Sequence, residues 1–318
     1  MKFLKALFIV SCLFALVGCK DETFDAIDEQ QNFLASVNIL EPSITFYDEN
    51  YELLTTWQLE KAYTGAILVG TNAVLLYGNQ LSEAELYELS TGKQIARLKT
   101  GIGTTNALYD EQAQAIYVTN SKTNALTSYS MTGEVQQSIK LGNYPMSMAL
   151  HDQLLYVVNY KDTVLSVIDT ATFQAVDEWT IASSAQGVLV VEQTNELWLG
   201  GHGQGSKPNE MAQIMDLTTG KLKNEVAVPM MPITFIQQQQ EIVVASHGSN
   251  MIYSLSLDGT INWQQEVAAN PFTVAYFNEE LVVAGYDDQT LYVLDQARIS
   301  DTITTGKGAF QLIVREGP

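Results

Sequence analysis

Short apolar runs that stop at a polar residue recur along the chain. Ala115-Ile116-Tyr117-Val118-Thr119-Asn120 returns as Leu154-Leu155-Tyr156-Val157-Val158-Asn159, which leads through Tyr160-Lys161-Asp162-Thr163 into Val164-Leu165-Ser166-Val167-Ile168-Asp169. The central position of the run aligns at Leu76, Tyr117, Tyr156, Trp198, Val243 and Val282, with successive anchors 39 to 45 residues apart. That is the period of a four-stranded propeller blade. Each unit reads as an apolar strand, the anchor strand, an alternating strand and a more polar strand. Thr91-Gly92, Thr132-Gly133, Thr219-Gly220 and Asp258-Gly259 mark tight turns, because Gly accepts positive φ. Beyond the N-terminal leader nothing has helical periodicity.

Six complete units fall at residues 64–100, 104–141, 145–181, 184–228, 231–267 and 270–304. The N-terminal remainder offers three strands, near Phe33 to Ile39, Ile44 to Asp48 and Leu53 to Leu59. The C-terminal remainder offers one, near Ala309 to Val314. Together they predict an all-β, seven-bladed β-propeller with four antiparallel strands per blade, closed by a blade of three N-terminal strands and one C-terminal strand. An unclosed ring would leave two bare blade faces.

Tyr117-Val118-Thr119-Asn120 is the tetrapeptide that names the YVTN-type seven-bladed β-propeller repeat proteins, and residues 156–172 resemble a full copy of that repeat. The two middle blades carry the resemblance; the others match in spacing and alternation. It implies the fold and says little of the role, since such repeats serve unrelated functions.

Residues 1–18 are of another kind. Lys2 and Lys5 precede an apolar stretch from Ala6 to Leu16, which is short of the roughly 20 residues needed to span a bilayer and has the layout of a bacterial secretory signal. Leu16-Val17-Gly18-Cys19 resembles the lipobox of bacterial lipoproteins, which implies cleavage before Cys19 and lipid on its sulfur. Cys12 lies in the leader, so the domain of residues 32–318 has no thiol for a disulfide, a metal or covalent catalysis. Residues 19–31 hold the lipidated Cys19, then Asp21, Glu22, Asp25, Asp28 and Glu29, and read as an acidic, solvated tether. The expected address is the extracytoplasmic cell envelope, with membrane contact through the lipid alone. A formal net charge of -20 argues against nucleic acid and anionic headgroups as partners. A monomer is expected.

In a propeller, the loops between second and third strands and the loops between blades open on one face, where ligand sites gather. That rule selects Asn120, Asn159, Tyr160, Lys161, Asp162, His202, His247, Tyr286, Asp287 and Asp288 as ligand-face candidates. Tyr117 is expected to pack between blades and Asn120 to mark where its strand reaches the ligand face. The Gly-rich stretch from Gly200 to Glu210 lengthens one loop but lacks the spacing of a nucleotide-binding loop. His202 and His247 occupy equivalent places in adjacent units, with Asp287 or Asp288 in the next; two imidazoles and a carboxylate are ligands for a divalent metal. No cofactor is otherwise expected. His151 falls on the opposite face, and Trp57, Trp179, Trp198 and Trp263 fall in strands.

No catalytic motif is present. The reading is therefore a binding or scaffold module for an envelope protein, peptide or glycan. The alternative is a lactonase-like, metal-assisted hydrolase built on the loop His and Asp residues. Asp258-Gly259-Thr260-Ile261-Asn262-Trp263 resembles one repeat of quinoprotein-type propellers, which include an envelope assembly factor.

Overall fold

The computed structural model describes residues 23–267 and 269–317. The leader and Cys19 lie outside the described residues. Seven four-stranded antiparallel sheets form the ring. Blades 1 to 6 follow in chain order, with strands spanning residues 65–98, 104–140, 145–180, 185–227, 232–266 and 271–304. Each runs from an innermost strand beside the central channel to an outermost strand on the rim.

Blade 7 closes the ring as the sequence predicts. Its innermost strand is Ala309–Arg315, followed outward by Phe33–Asn38, Ser43–Tyr47 and Leu53–Gln58. The two ends of the chain pair in antiparallel register from Phe33↔Arg315 to Val37↔Gln311. Here the N-terminal strands supply the rim and the C-terminal strand supplies the channel wall.

The alternation of a strand's side chains holds blade to blade. In blade 2, Ile116 and Val118 pack toward blade 1, whereas Ala115 and Tyr117 pack toward blade 3. Every second strand is flanked in this way, so almost all of its residues are buried. That explains why it reads as a continuous apolar run. The predicted anchors from Tyr117 to Val282 all face the following blade. Leu76 does not: it faces blade 7, and Leu75 takes the anchor position against blade 2. A one-residue slip in register exchanges the two faces of a strand, and in a strand of uninterrupted apolar residues no polar neighbour marks the difference.

Residues 23–31 correct the expectation of a solvated tether. The Phe24 N–H donates to the Gly92 carbonyl at 2.9 Å and the Ile27 N–H to the Leu89 carbonyl at 2.8 Å. Phe24 stacks on Trp57 with ring centroids 4.5 Å apart, and Ile27 is buried. The Trp57 indole N–H donates to the Asp25 carbonyl at 3.0 Å. The Arg315 guanidinium, over the Phe33 ring, donates to the carbonyls of Asp28 and Gln31. Two apolar side chains three residues apart dock the segment although its charges are acidic, because those charges point to solvent. Gly92, at φ 67°, makes room for it: a Cβ there would strike the Phe24 carbonyl.

A candidate ligand face around the channel mouth

The loop face is organised by two repeating positions. Tyr160, His202, His247 and Tyr286 are each the first residue after the second strand of blades 3, 4, 5 and 6. Phe272 and Phe310 are each the second residue of the innermost strand of blades 6 and 7. Ring geometry carries one position to the next, so the rings form an unbroken path. Tyr144 meets Tyr160 at 5.8 Å, Tyr160 meets His202 at 5.9 Å and His202 meets His247 at 5.1 Å. His247 meets Phe272 at 5.0 Å, and Phe272 touches both Tyr286 and Phe310 at 5.2 Å. All seven rings are partly exposed. Aromatic surface is usually buried, so a half-open path of it around a channel mouth leaves apolar area available for contact.

Phe272 and Phe310 also line a cavity of about 260 Å³ in the channel, whose walls include Thr64, Thr105, Asn106, Ser147, Gln186 and Gln311. The wall is uncharged. Its hydroxyls link blades: Thr105 Oγ1 donates to the Pro145 carbonyl at 2.6 Å and Thr234 Oγ1 to the Phe272 carbonyl at 2.7 Å. The face thus combines aromatic surface at the mouth with neutral donors and acceptors below.

Several predicted residues join this surface and others do not. Lys161 lies on the face with its ammonium 4.7 Å from the Tyr144 ring centroid, a cation–π contact. With Asp162 and Gln204 it borders a shallow hollow beside the path. Asp162 is occupied, accepting from the Asn143 side-chain amide at 2.9 Å and from the Asn143 backbone N–H. Asp288 accepts from the Tyr292 hydroxyl at 2.6 Å and the Ala269 N–H at 3.1 Å. These carboxylates latch a loop of their own blade to the preceding inter-blade loop. Asp287 is exposed, with its N–H on the Ala269 carbonyl.

Asn120 and Asn159 do not present their side chains to a ligand. Asn120 is 4% exposed; its amide donates to the carbonyls of Thr100, Gly101 and Ile102, and its Oδ1 accepts from the N–H groups of Lys122 and Thr123. Asn159 is fully buried, donating to the Val164 carbonyl and Ser166 Oγ. Loop backbone that enters the interior must find partners, and an amide offers both donors and an acceptor. Asn120 thus holds two loops of the face from beneath, whereas Asn159 ties the second strand of its blade to the third and leaves its buried Oδ1 without a partner.

The His pair is assembled as the repeat predicts. The His247 Nδ1–H donates to Asn270 Oδ1 at 2.8 Å, leaving the lone pair on Nε2. That Nε2 and His202 Nδ1 are buried without a hydrogen-bond partner. Burial, and then the nearby His247, hold the His202 pKa below its ordinary value. The carboxylates do not join them: among the described residues no group of three His, Cys, Asp or Glu converges where it could hold a metal ion. His151 lies on the opposite face as predicted, beside Glu192 at 3.1 Å.

Sequence reasoning missed Phe272 and Phe310 as site residues. Their signal was Pro271-Phe272 and Ala309-Phe310, each directly after an inter-blade loop. It also missed the form of the Gly200 to Glu210 stretch. Gly203–Gln204 pairs with Lys207–Pro208 in a small hairpin on the loop face. A Cβ at Gly200 would meet the Pro232 carbonyl and one at Gly201 the Ser184 carbonyl, so both glycines permit close backbone approach.

No protein-family model matches the chain, and no curated protein matches it. Solved structures do. A functionally unknown protein from Desulfotomaculum acetoxidans superposes with a TM-score of 0.76 at 12% identity, over 89% of this chain and 98% of that one. Hydrazine synthase of Kuenenia stuttgartiensis matches with a TM-score of 0.67 at 11% identity, over 79% and 90%. Apo AztD from Citrobacter koseri matches with 0.62 at 10% identity, over 89% and 97%. At such identities the likeness is one of fold, and the same ring carries varied roles.

Proposed function

We propose that the chain is a lipid-anchored binding and scaffold module of the cell envelope, a YVTN-type propeller whose loop face engages a protein, peptide or glycan. The aromatic path from Tyr144 to Phe310 carries this reading. It draws on five blades and it is half open. Such rings supply contact area at low conformational cost, which suits an extended ligand laid across the channel mouth. The lipid anchor rests on Leu16 to Cys19.

The test compares two immobilised forms of the chain in capture from its own envelope extract: wild type, and Tyr160→Ala with Phe272→Ala. A component retained by wild type and lost by the folded variant supports the reading; identical retention by both counts against it. The hydrolase alternative has one supporting observation, the unpartnered nitrogens of His202 and His247. A divalent ion that co-purifies with wild type and raises its melting temperature would favour that alternative.

A further inference from the structure

We infer that the docked segment 23–31 fixes the orientation of the ring on a lipid surface, with the aromatic loop face turned away from the bilayer and the opposite face turned toward it. The inference rests on the lipid anchor proposed at Cys19 and adds a direction to it. Thr23 bridges to Lys93, and the Phe24 N–H bonds the Gly92 carbonyl, in the turn between the third and fourth strands of blade 1. Those turns lie on the face opposite the aromatic path. Cys19 is therefore separated from the docked Thr23 by a chain length of at most about 14 Å.

That reach excludes the reversed geometry. The strands of the ring are five to seven residues long, so the two faces stand roughly 20 Å apart before loops are counted. A tether of about 14 Å from one face cannot lay the other face on the membrane. Had all of residues 20–31 been free, the reach would have been roughly 40 Å and either face could have turned down.

The docking is sequence-encoded rather than incidental. Phe24 is inserted between Trp57 and Tyr87, with ring centroids at 4.5 and 5.0 Å, and Ile27 is 3% exposed in the cluster between blades 7 and 1. Charge then sets the distance. The membrane-side turns carry exposed Glu111, Glu134, Asp152 and Glu192, which repel anionic headgroups over a Debye length of about 8 Å. The ring stands off the surface within its tether's reach, and the aromatic path is left open to a ligand from the far side.

The full-length chain, processed and acylated in a bacterial host, is added to preformed phosphatidylcholine vesicles bearing a headgroup acceptor dye. No cysteine occurs after Cys19, so Glu111→Cys and Ser206→Cys each give one donor site, on the membrane side and at the hairpin tip respectively. Energy transfer is expected to be about twofold or more higher from position 111, given the height of the ring. Equal transfer, or more from position 206, overturns the orientation. In an Ile27→Asp background that still melts cooperatively, the difference is expected to collapse; an unchanged difference shows that docking does not set it. Mass spectrometry of the Cys19 peptide keeps the two readings apart, since an unacylated Cys19 removes the anchor and the orientation with it.

Discussion

Single residues serve the ring and its loop face in three different ways, and substitution separates them. Tyr117 is a packing residue, 2% exposed, with its hydroxyl on Asp110 Oδ2 at 3.2 Å. Tyr117→Ala is expected to cost about 3–5 kcal/mol, the range for truncating a large aromatic core residue. Asn120 looked from the sequence like a ligand contact, yet it ties together a loop before its strand and a loop after it. Asn120→Ala should then cost about 1–3 kcal/mol through orphaned backbone groups, and thermal melting that shows no loss would return it to the ligand face. A polar residue at a strand end is legible in sequence, but the direction it turns depends on loop backbone 18 to 20 residues away. His202 is different again, because its partly buried ring resists protonation. With a folded pKa below the unfolded one, the unfolded chain binds more protons as pH falls through about 6.5. Stability present at higher pH is thus lost on acidification through that window, and His202→Gln should lose less than wild type between pH 7.5 and 5.5. Parallel melting curves for the two proteins would contradict this.

Among elements, the second strands were legible and the outermost strands were legible only in outline. A second strand is sandwiched between blades, so its burial writes a continuous apolar run. An outermost strand has one bare edge, and all seven show a register shift near their start, as between Leu86/Tyr87 and Val167/Ile168. Bulges at that place increase the local twist and deny a straight edge to other chains. They have no composition of their own: the extra residue is Ile95 in one blade and Asn262 in another. The docked segment escaped for a related reason. Five acidic residues dominate the composition of residues 19–31, whereas its placement follows from Phe24 and Ile27 meeting a slot between Trp57 and Tyr87 that only the folded blades create. The small hairpin within Gly200 to Glu210 was hidden because its glycines read equally well as a long open loop.

For the whole molecule, the period predicted six blades, and the leftover terminal strands predicted the seventh and how it closes the ring. The energetics of that closure can be tested directly. Pairing Phe33–Asn38 with Ala309–Arg315 joins segments from opposite ends of the chain, a loop whose closure costs about 5 kcal/mol in chain entropy. Only contacts that form once the ring is complete offset this. They include the burial of Ala309 and Ile313, and the Arg315 guanidinium held by backbone carbonyls beneath the docked segment. Removing residues 308–318 takes away the channel wall of blade 7 and leaves the packed faces of blades 6 and 7 open to water. The loss is expected to approach the whole stability of a domain, about 5–15 kcal/mol, so that tryptophan fluorescence of the truncated chain shows no cooperative urea transition. A synthetic peptide of residues 308–317 added in trans should restore the transition with a saturable dependence on concentration, because a strand that binds only the folded ring draws the equilibrium toward it. A truncated chain that unfolds with the wild-type midpoint would mean that the first six blades and the N-terminal strands stand without closure, and that the ring's stability resides in each blade-to-blade contact alone.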